Sequence, residues 1–122
     1  MAQVWRREGE GWRLAWNSLV PQYPGLVGGA GWAVELTEEE AQTLARLLAE
    51  IRQTFQDLAE HVMAEERLCC ELEGEGIWLE AEGSITSYDL RFILTTGRGF
   101  EGYWPGAALA ELEAALAVCP GF

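Results

Sequence analysis

Apolar and polar residues alternate in short runs through both halves of this chain. In one run Trp12, Leu14 and Trp16 share one side of an extended strand, while Arg13 and Ala15 share the other. Glycine-rich turns separate such runs, as is typical of antiparallel hairpins. The pattern predicts eight strands, at residues 4–8, 12–17, 26–28, 32–36, 67–73, 77–82 and 88–94, with the eighth running through residues 103–104.

Between the two sets of strands, apolar residues recur in steps of three and four, the period of an amphipathic helix. Thr37 and Glu40 have the spacing of a capping box, in which each side chain accepts from the other residue's backbone N–H. The pattern predicts a helix at residues 38–65 and a shorter one that starts near Pro105 and ends before Pro120. The apolar stripe of the long helix comprises Leu44, Leu47, Leu48, Ile51, Phe55, Leu58, Val62 and Met63.

The two halves of the sequence are versions of one another. Residues 9–14, Gly-Glu-Gly-Trp-Arg-Leu, recur as residues 74–79, Gly-Glu-Gly-Ile-Trp-Leu. Each copy lies within a run of strands that leads into a helix. The sequence therefore predicts an α+β fold in which two pseudo-repeated four-stranded antiparallel sheets are each followed by a helix, in the order ββββαββββα. We expect a single domain over residues 1–122, with repeats at about 3–66 and 67–118.

The chain is strongly acidic, and its charge is unevenly distributed. Twenty acidic residues and eight arginines, with no lysine, give a formal net charge of −12. Residues 1–36 carry equal numbers of arginines and acids, whereas the excess of acids is largest in residues 65–122. A field of this sign repels nucleic-acid phosphates and anionic lipids. It therefore argues against a nucleic acid or a membrane surface as partner.

The sequence also bears on compartment. No apolar run reaches the roughly 18–20 residues that a membrane-spanning helix needs, and the first residues lack the apolar segment of a signal peptide. Three cysteines, without a zinc-binding spacing, are expected to be small buried side chains in a reducing compartment. These cysteines are Cys69, Cys70 and Cys119. The expected location is the cytoplasm.

Candidate chemistry is sparse. His61, the single histidine, lies one helical turn from Asp57 and from Glu65, which suggests a metal site; the alternative is a solvated histidine with acidic neighbours. A metal site normally needs further ligands from another element. Serine nucleophiles lack both a nucleophile-elbow sequence and a second histidine. We therefore predict no catalytic residues, no metal, no cofactor and no enzymatic activity. A small hydrolase or metalloenzyme is the least favoured alternative.

Trp78 is the tryptophan whose position suggests function. Trp12, Trp16 and Trp32 fit the inward faces of their strands, but Trp78 shares a face with Glu80 and Glu82. Glu71 and Glu73 point outward from the preceding strand. An exposed tryptophan can stack on a nucleobase, yet these acids would repel its phosphates. The five residues Trp78, Glu80, Glu82, Glu71 and Glu73 are therefore predicted to bind a protein partner with basic residues around an apolar pocket. Solvated glutamates, or a general acid–base pair, are the alternatives.

A second candidate surface lies near the start of the chain. Trp5, Arg6, Arg7 and Arg13 form the one cluster that combines basic and aromatic residues. Such a cluster is a candidate patch for nucleic acid or another anion. The alternative is that the first residues simply form an edge strand.

Several segments carry a resemblance to a known family. They are residues 11–16 (Gly-Trp-Arg-Leu-Ala-Trp), 23–29 (Tyr-Pro-Gly-Leu-Val-Gly-Gly), 32–40 (Trp-Ala-Val-Glu-Leu-Thr-Glu-Glu-Glu), 78–83 (Trp-Leu-Glu-Ala-Glu-Gly) and 97–105 (Gly-Arg-Gly-Phe-Glu-Gly-Tyr-Trp-Pro). Together they resemble a small family of uncharacterised proteins of oxygenic photosynthetic lineages. That family is grouped by fold with the Whirly-type single-stranded-DNA-binding transcriptional regulators, which implies a Whirly-like fold.

The resemblance implies a role in nucleic-acid binding, whereas the charge argues against one. The Lys-Gly-Lys-type basic strand that contacts DNA in Whirly-type proteins has no counterpart in a chain without lysine. We therefore expect a non-enzymatic protein-interaction or regulatory module with an unidentified protein partner. The alternative is a single-stranded nucleic-acid-binding transcriptional regulator. The sequence leaves the oligomeric state open.

Overall fold

Eight strands and two helices follow one another in the predicted order in the computed structural model, which describes residues 3–122. The first sheet has the order β1-β2-β3-β4 and the second β5-β6-β7-β8, and every neighbouring pair is antiparallel. The predicted fold class is confirmed. The elements are β1 (Val4–Gly9), β2 (Trp12–Asn17), β3 (Gly25–Gly29), β4 (Trp32–Leu36), α1 (Glu38–Leu58), β5 (Leu68–Gly74), β6 (Ile77–Gly83), β7 (Tyr88–Leu94), β8 (Phe100–Trp104) and α2 (Gly106–Leu116).

Matching turns begin the two sheets. Gly11 and Gly76 end the β1–β2 and β5–β6 turns with φ of 80° and 78°, a left-handed conformation that favours glycine. The next residues, Trp12 and Ile77, are the first residues of their strands, and both are buried. The repeated Gly-Glu-Gly segment thus marks equivalent places in the two halves.

Helix α1 begins as predicted. The Thr37 hydroxyl accepts from the Glu40 backbone N–H at 3.1 Å, and the Glu40 carboxylate accepts from the Thr37 N–H at 2.8 Å. Its buried stripe contains five of the predicted apolar residues. These are Leu44, Leu47, Leu48, Ile51 and Phe55.

The end of α1 differs from the predicted one, since the helix stops at Leu58 instead of residue 65. The His61 N–H then donates to the Leu58 carbonyl in a tighter turn at 2.9 Å. Asp57 and Glu60 lie at the negative end of the helix dipole, where acids are unfavourable. Residues 59–61 are also exposed, so no packing extends the helix. Met63, which the period assigned to the apolar stripe, is 66% exposed.

Each helix packs across the boundary between the two halves. α1 contacts β5 and β6 of the second sheet as well as β4, and α2 contacts β2 and β1 of the first sheet as well as β7. The Trp12 indole N–H donates to Glu111 of α2 at 2.8 Å. The inner faces of both sheets and the two helices therefore share one hydrophobic core.

Tryptophans join the two sheets. The buried Trp104 donates its indole N–H to the Gly28 carbonyl at 2.8 Å. Trp32 lies over Gly102, where the Cβ atom of any other residue would come within 2.6 Å of the Trp32 ring. Glycine at position 102 therefore lets β8 of the second sheet approach the β3–β4 hairpin of the first. Within residues 3–122, neither helix is both long and apolar enough to cross a membrane.

Candidate partner-binding face

The outer surface of the second sheet carries most of the candidate residues. Alternate residues of β5–β8 point into the core, and the others point outward. We call this outer surface the acidic face. It presents six acids, which are Glu71, Glu73, Glu80, Glu82, Asp89 and Glu101.

Like charges lie directly opposite one another on the acidic face. The strand register pairs Glu71 with Glu80, and Glu82 with Asp89. Opposite positions in an antiparallel sheet are about 5 Å apart, so like-charged pairs repel and destabilise the sheet. These side chains lie outside the core, so packing does not require carboxylates at these positions.

The predicted partner surface lies on this face. Trp78, Glu80 and Glu82 point outward from β6, and Glu71 and Glu73 from β5. The Trp78 side chain is partly exposed. The structure thus brings all five residues together on the outer surface of the second sheet.

Arginines offset part of the charge. Arg91 contacts Glu101 at 2.5 Å and Glu80 at 3.9 Å, and its guanidinium lies 5.4 Å from the centre of the Trp78 ring. Arg67, just before β5, contacts Glu82 at 2.6 Å. Such exposed pairs contribute little stability. Because six acids remain against these two arginines, the face keeps a net negative charge.

The negative charge of the acidic face contributes to the raised pKa of the Cys69 thiol. Partial burial, and then the charges of the neighbouring carboxylates, raise the pKa of Cys69. The carboxylates belong to Glu80, Glu71 and Glu82. Cys69 is exposed, so the prediction of three buried cysteines is wrong for it, whereas Cys119 is buried as expected. Cys69 pairs with Glu82 on the outward side of β5.

Sequence reasoning missed the part of the face that β7 and β8 contribute. Asp89, Glu101 and Tyr103 belong to it, and the Tyr103 hydroxyl donates to the Asp89 carboxylate at 2.7 Å. Tyr103 is 50% exposed. The sequence did contain a signal for Asp89, because Leu90 and Phe92 alternate inward and so leave Asp89 pointing outward.

The basic-aromatic cluster is divided by strand geometry. Trp5 pairs with Trp16 and Arg7 with Leu14, so Trp5 and Arg7 take the inner side of the edge strand β1. Arg7 lies 5.3 Å from the centre of the Trp5 ring. Arg6 and Arg13 point outward instead. Arg6, Arg7 and Arg13 nevertheless line one cavity of about 200 Å³, so the candidate patch stays a prediction.

The candidate metal ligands are not brought onto one helix face. Because α1 ends at Leu58, His61 and Glu65 lie in the turns that follow it and lose the helical spacing from Asp57. Within the described chain, residues 3–122, the structure places no three His, Cys, Asp or Glu side chains together as metal ligands.

A cleft between α1, α2 and the β6–β7 turn contains the partly buried carboxyl group of Glu113. Its volume is about 290 Å³. Glu113 accepts from the Tyr88 hydroxyl at 3.3 Å and lies 3.9 Å from Arg52. Burial raises the pKa of Glu113, while Arg52 and the Tyr88 hydrogen bond act in the opposite direction. These groups already satisfy one another, so the cluster joins the two helices to the second sheet.

The fold and this surface define an α+β domain of two antiparallel sheets, one of which has an acidic outer face. The chain belongs to the family described as Domain of unknown function (DUF1818), which it matches over residues 7–119. It is similar to a crystal structure from Prochlorococcus sp. NATL2A, described as a protein with unknown function from the DUF155 family. Sequence identity is 29%, the similarity covers 93% of this chain and 96% of that one, and the TM-score is 0.88. No curated protein matches the chain.

Proposed function

We propose that this chain is a non-enzymatic interaction module whose acidic face binds a basic segment of a partner protein. The carrying observation is the set of facing like charges, Glu71 with Glu80 and Glu82 with Asp89. The members of each pair repel each other, and an arginine offsets this only at Glu80 and at Glu82. A basic partner that approaches both members of a pair relieves their repulsion, so the arrangement favours binding over isolated stability.

Aromatic residues on the same face support this proposal. Trp78 and Tyr103 are both partly exposed beside the acids. Tryptophan and tyrosine are enriched at the centres of protein interfaces, where charged residues at the rim steer the partner into place. A face that combines both features suits a partner segment rich in arginine or lysine.

We also propose that the module has no enzymatic activity. The glutamates lie on an open sheet surface, and general acid–base catalysis normally uses groups within a concave site that holds the substrate. We also place the module in a reducing compartment such as the cytoplasm. All three cysteines are free in the described structure, which is typical of proteins kept in such compartments.

Peptide binding tests the proposal. A fluorescein-labelled peptide, Arg-Arg-Ser-Leu-Ser-Arg-Arg, is titrated with the protein and followed by fluorescence anisotropy at low and physiological salt. We expect binding that weakens with salt, because screening reduces attraction between exposed charges. The double variant Glu71→Gln/Glu80→Gln should bind about fivefold more weakly, corresponding to ~1 kcal/mol.

The double variant Glu8→Gln/Glu10→Gln is the matched control. It removes the same charge from exposed positions of the first half. It should leave peptide affinity nearly unchanged if the acidic face is the binding surface. Equal weakening by the two double variants would mean that total charge, and not this face, attracts the peptide.

Single-stranded nucleic-acid binding in transcription is the second candidate. The resemblance to uncharacterised proteins of photosynthetic lineages with a Whirly-like fold suggests it. Arg6, Arg7 and Arg13 support it, since all three line a cavity of about 200 Å³, and Arg6 and Arg13 point outward from the first sheet. Anisotropy with a labelled oligonucleotide should show no sub-micromolar binding at physiological salt. Tight binding that Arg6→Ala/Arg13→Ala abolishes would replace the first proposal with this one.

A further inference from the structure

An open groove runs beside the acidic face, at the edge of the second sheet. It lies between the β3–β4 turn and β8 and has a volume of about 470 Å³. We call it the β8 groove. Its lining includes Ala30, Trp32, Gly102, Tyr103 and Pro105, and Arg91 and Glu101 lie at its border with the acidic face.

The groove is preformed. Trp32 lies over Gly102, and its indole N–H donates to the Tyr103 carbonyl at 3.2 Å. The Tyr103 hydroxyl donates to Asp89, which also accepts from the Gly106 N–H at 2.8 Å. These contacts hold both aromatic rings in place before any partner arrives. A rigid site loses less conformational entropy on binding than a mobile one.

The groove leaves apolar surface in contact with water. Tyr103 is half exposed and Trp32 is partly exposed, although Trp32 also packs against the core. Ala30 is a small exposed side chain that leaves the groove open on one side. A recess of this kind accepts an apolar side chain, because burying that side chain removes apolar area from water.

The surrounding charge selects the kind of partner. Glu101 and Arg91 line the groove as an ion pair, and Asp89 lies next to it through its hydrogen bond with Tyr103. The other acids of the acidic face continue away from the groove, so the surface around it is negatively charged. A segment with arginine or lysine on both sides of one apolar residue complements this arrangement. A basic side chain can also pack on the exposed Tyr103 ring.

We propose that the β8 groove holds an apolar side chain, such as leucine, of a basic partner segment bound across the acidic face. The inference rests on the proposed function and deepens it, since it adds a specificity-determining pocket to a charged surface. The acids attract any basic segment, whereas the groove distinguishes segments that carry an apolar residue at the right place.

Two peptides of equal charge test the groove. The first is Arg-Arg-Ser-Leu-Ser-Arg-Arg, and the second has glycine in place of leucine. We expect the leucine peptide to bind the protein about tenfold more tightly, because partial burial of leucine contributes this much. In heteronuclear NMR, the leucine peptide should shift the indole N–H signal of Trp32 more than the glycine peptide does.

Substitutions at Ala30 show where the leucine binds. Ala30→Tyr fills the groove from an exposed turn and should reduce the affinity of the leucine peptide to that of the glycine peptide. Ala30→Ser changes the same residue without filling the groove and should keep the tenfold difference. If Ala30→Tyr strongly lowers the melting temperature, Tyr103→Ala is used in its place. Tyr103→Ala removes one wall of the β8 groove and should reduce the difference in affinity between the leucine and glycine peptides.

The outcomes separate the two proposals. Equal affinity of both peptides for the unaltered protein, with binding still weakened by Glu71→Gln/Glu80→Gln, would overturn the groove and leave the acidic face in place. A leucine preference that survives both Ala30→Tyr and Tyr103→Ala would also overturn the groove. If neither peptide binds at low salt, the proposed function fails, and the groove inference fails with it.

Discussion

The two sheets have the same strand order but different outer faces. On the first sheet the register places Glu8 opposite Arg13, a pair of opposite charges. On the second, Glu71 lies opposite Glu80, a pair of like charges. The inner faces of both sheets remain apolar because they share one core. The repeated halves therefore keep the apolar residues that the core requires and differ at the surface exposed to solvent, which is where we place the function.

The two halves share one hydrophobic core, and a cavity in that core should destabilise the whole domain. Phe55 of α1 is buried and packs against Tyr88 of β7, with ring centres 4.4 Å apart. Phe55→Ala should lower the free energy of unfolding by ~3–5 kcal/mol, because it leaves a cavity in the common core. Urea denaturation measures this change. Gln53→Ala, at an exposed position of the same helix, is the control and should change it by under about 0.5 kcal/mol. A loss below about 1 kcal/mol for Phe55→Ala would contradict the shared core.

The two helix starts differ as well. Thr37 caps α1 with its side chain, whereas Pro105 precedes α2 without a side-chain cap. Thr37→Ala should cost ~1 kcal/mol in unfolding free energy through the lost hydrogen bond to the Glu40 N–H. Thr37→Ser keeps the hydroxyl and should retain most of the stability in the same urea melts. Equal losses in the two variants would show that the cap is not the cause.

Reversing one charge on the outer face of each sheet should change the stability of the fold in opposite directions. Glu71→Arg converts a like-charged pair into an opposite one and should stabilise the fold by ~0.5 kcal/mol. Arg13→Glu makes the reverse change on the first sheet and should destabilise it by a similar amount. Urea melts at low and high salt measure both effects, which should shrink together as salt screens the charges. A salt-independent effect would point to packing instead of charge.

The smallest effect is a pH dependence from Glu113 of α2. Burial raises the pKa of this carboxyl above its ordinary value of 4.5, so the folded state binds its proton more tightly than the unfolded state does. The stability that protonated Glu113 contributes is fully present below the ordinary value and is lost as pH rises through the raised pKa. Urea melts across this pH range should show that loss in the unaltered protein. Glu113→Gln should remove it, and identical pH profiles for the two proteins would contradict the assignment.

The sequence predicted the elements well because their causes are local. Alternation located the strands and the outward position of Trp78, and the capping box located the start of α1. The end of α1 depends on where packing stops, and no glycine or proline marks that point. Trp5 and Arg6 are neighbours in a strand and so point to opposite faces by alternation alone, whereas the β1–β2 register decides which face is the inner one. The β8 groove was beyond prediction, because Trp32 reaches Gly102 only after the two sheets have docked.

The helices that both sheets share have a consequence for how the chain folds. Since α1 contacts β4 and the second sheet, and α2 contacts β7 and the first sheet, the core is complete only when both halves are in place. Folding therefore depends on contacts between residues distant in sequence, which slows it relative to a chain with local packing.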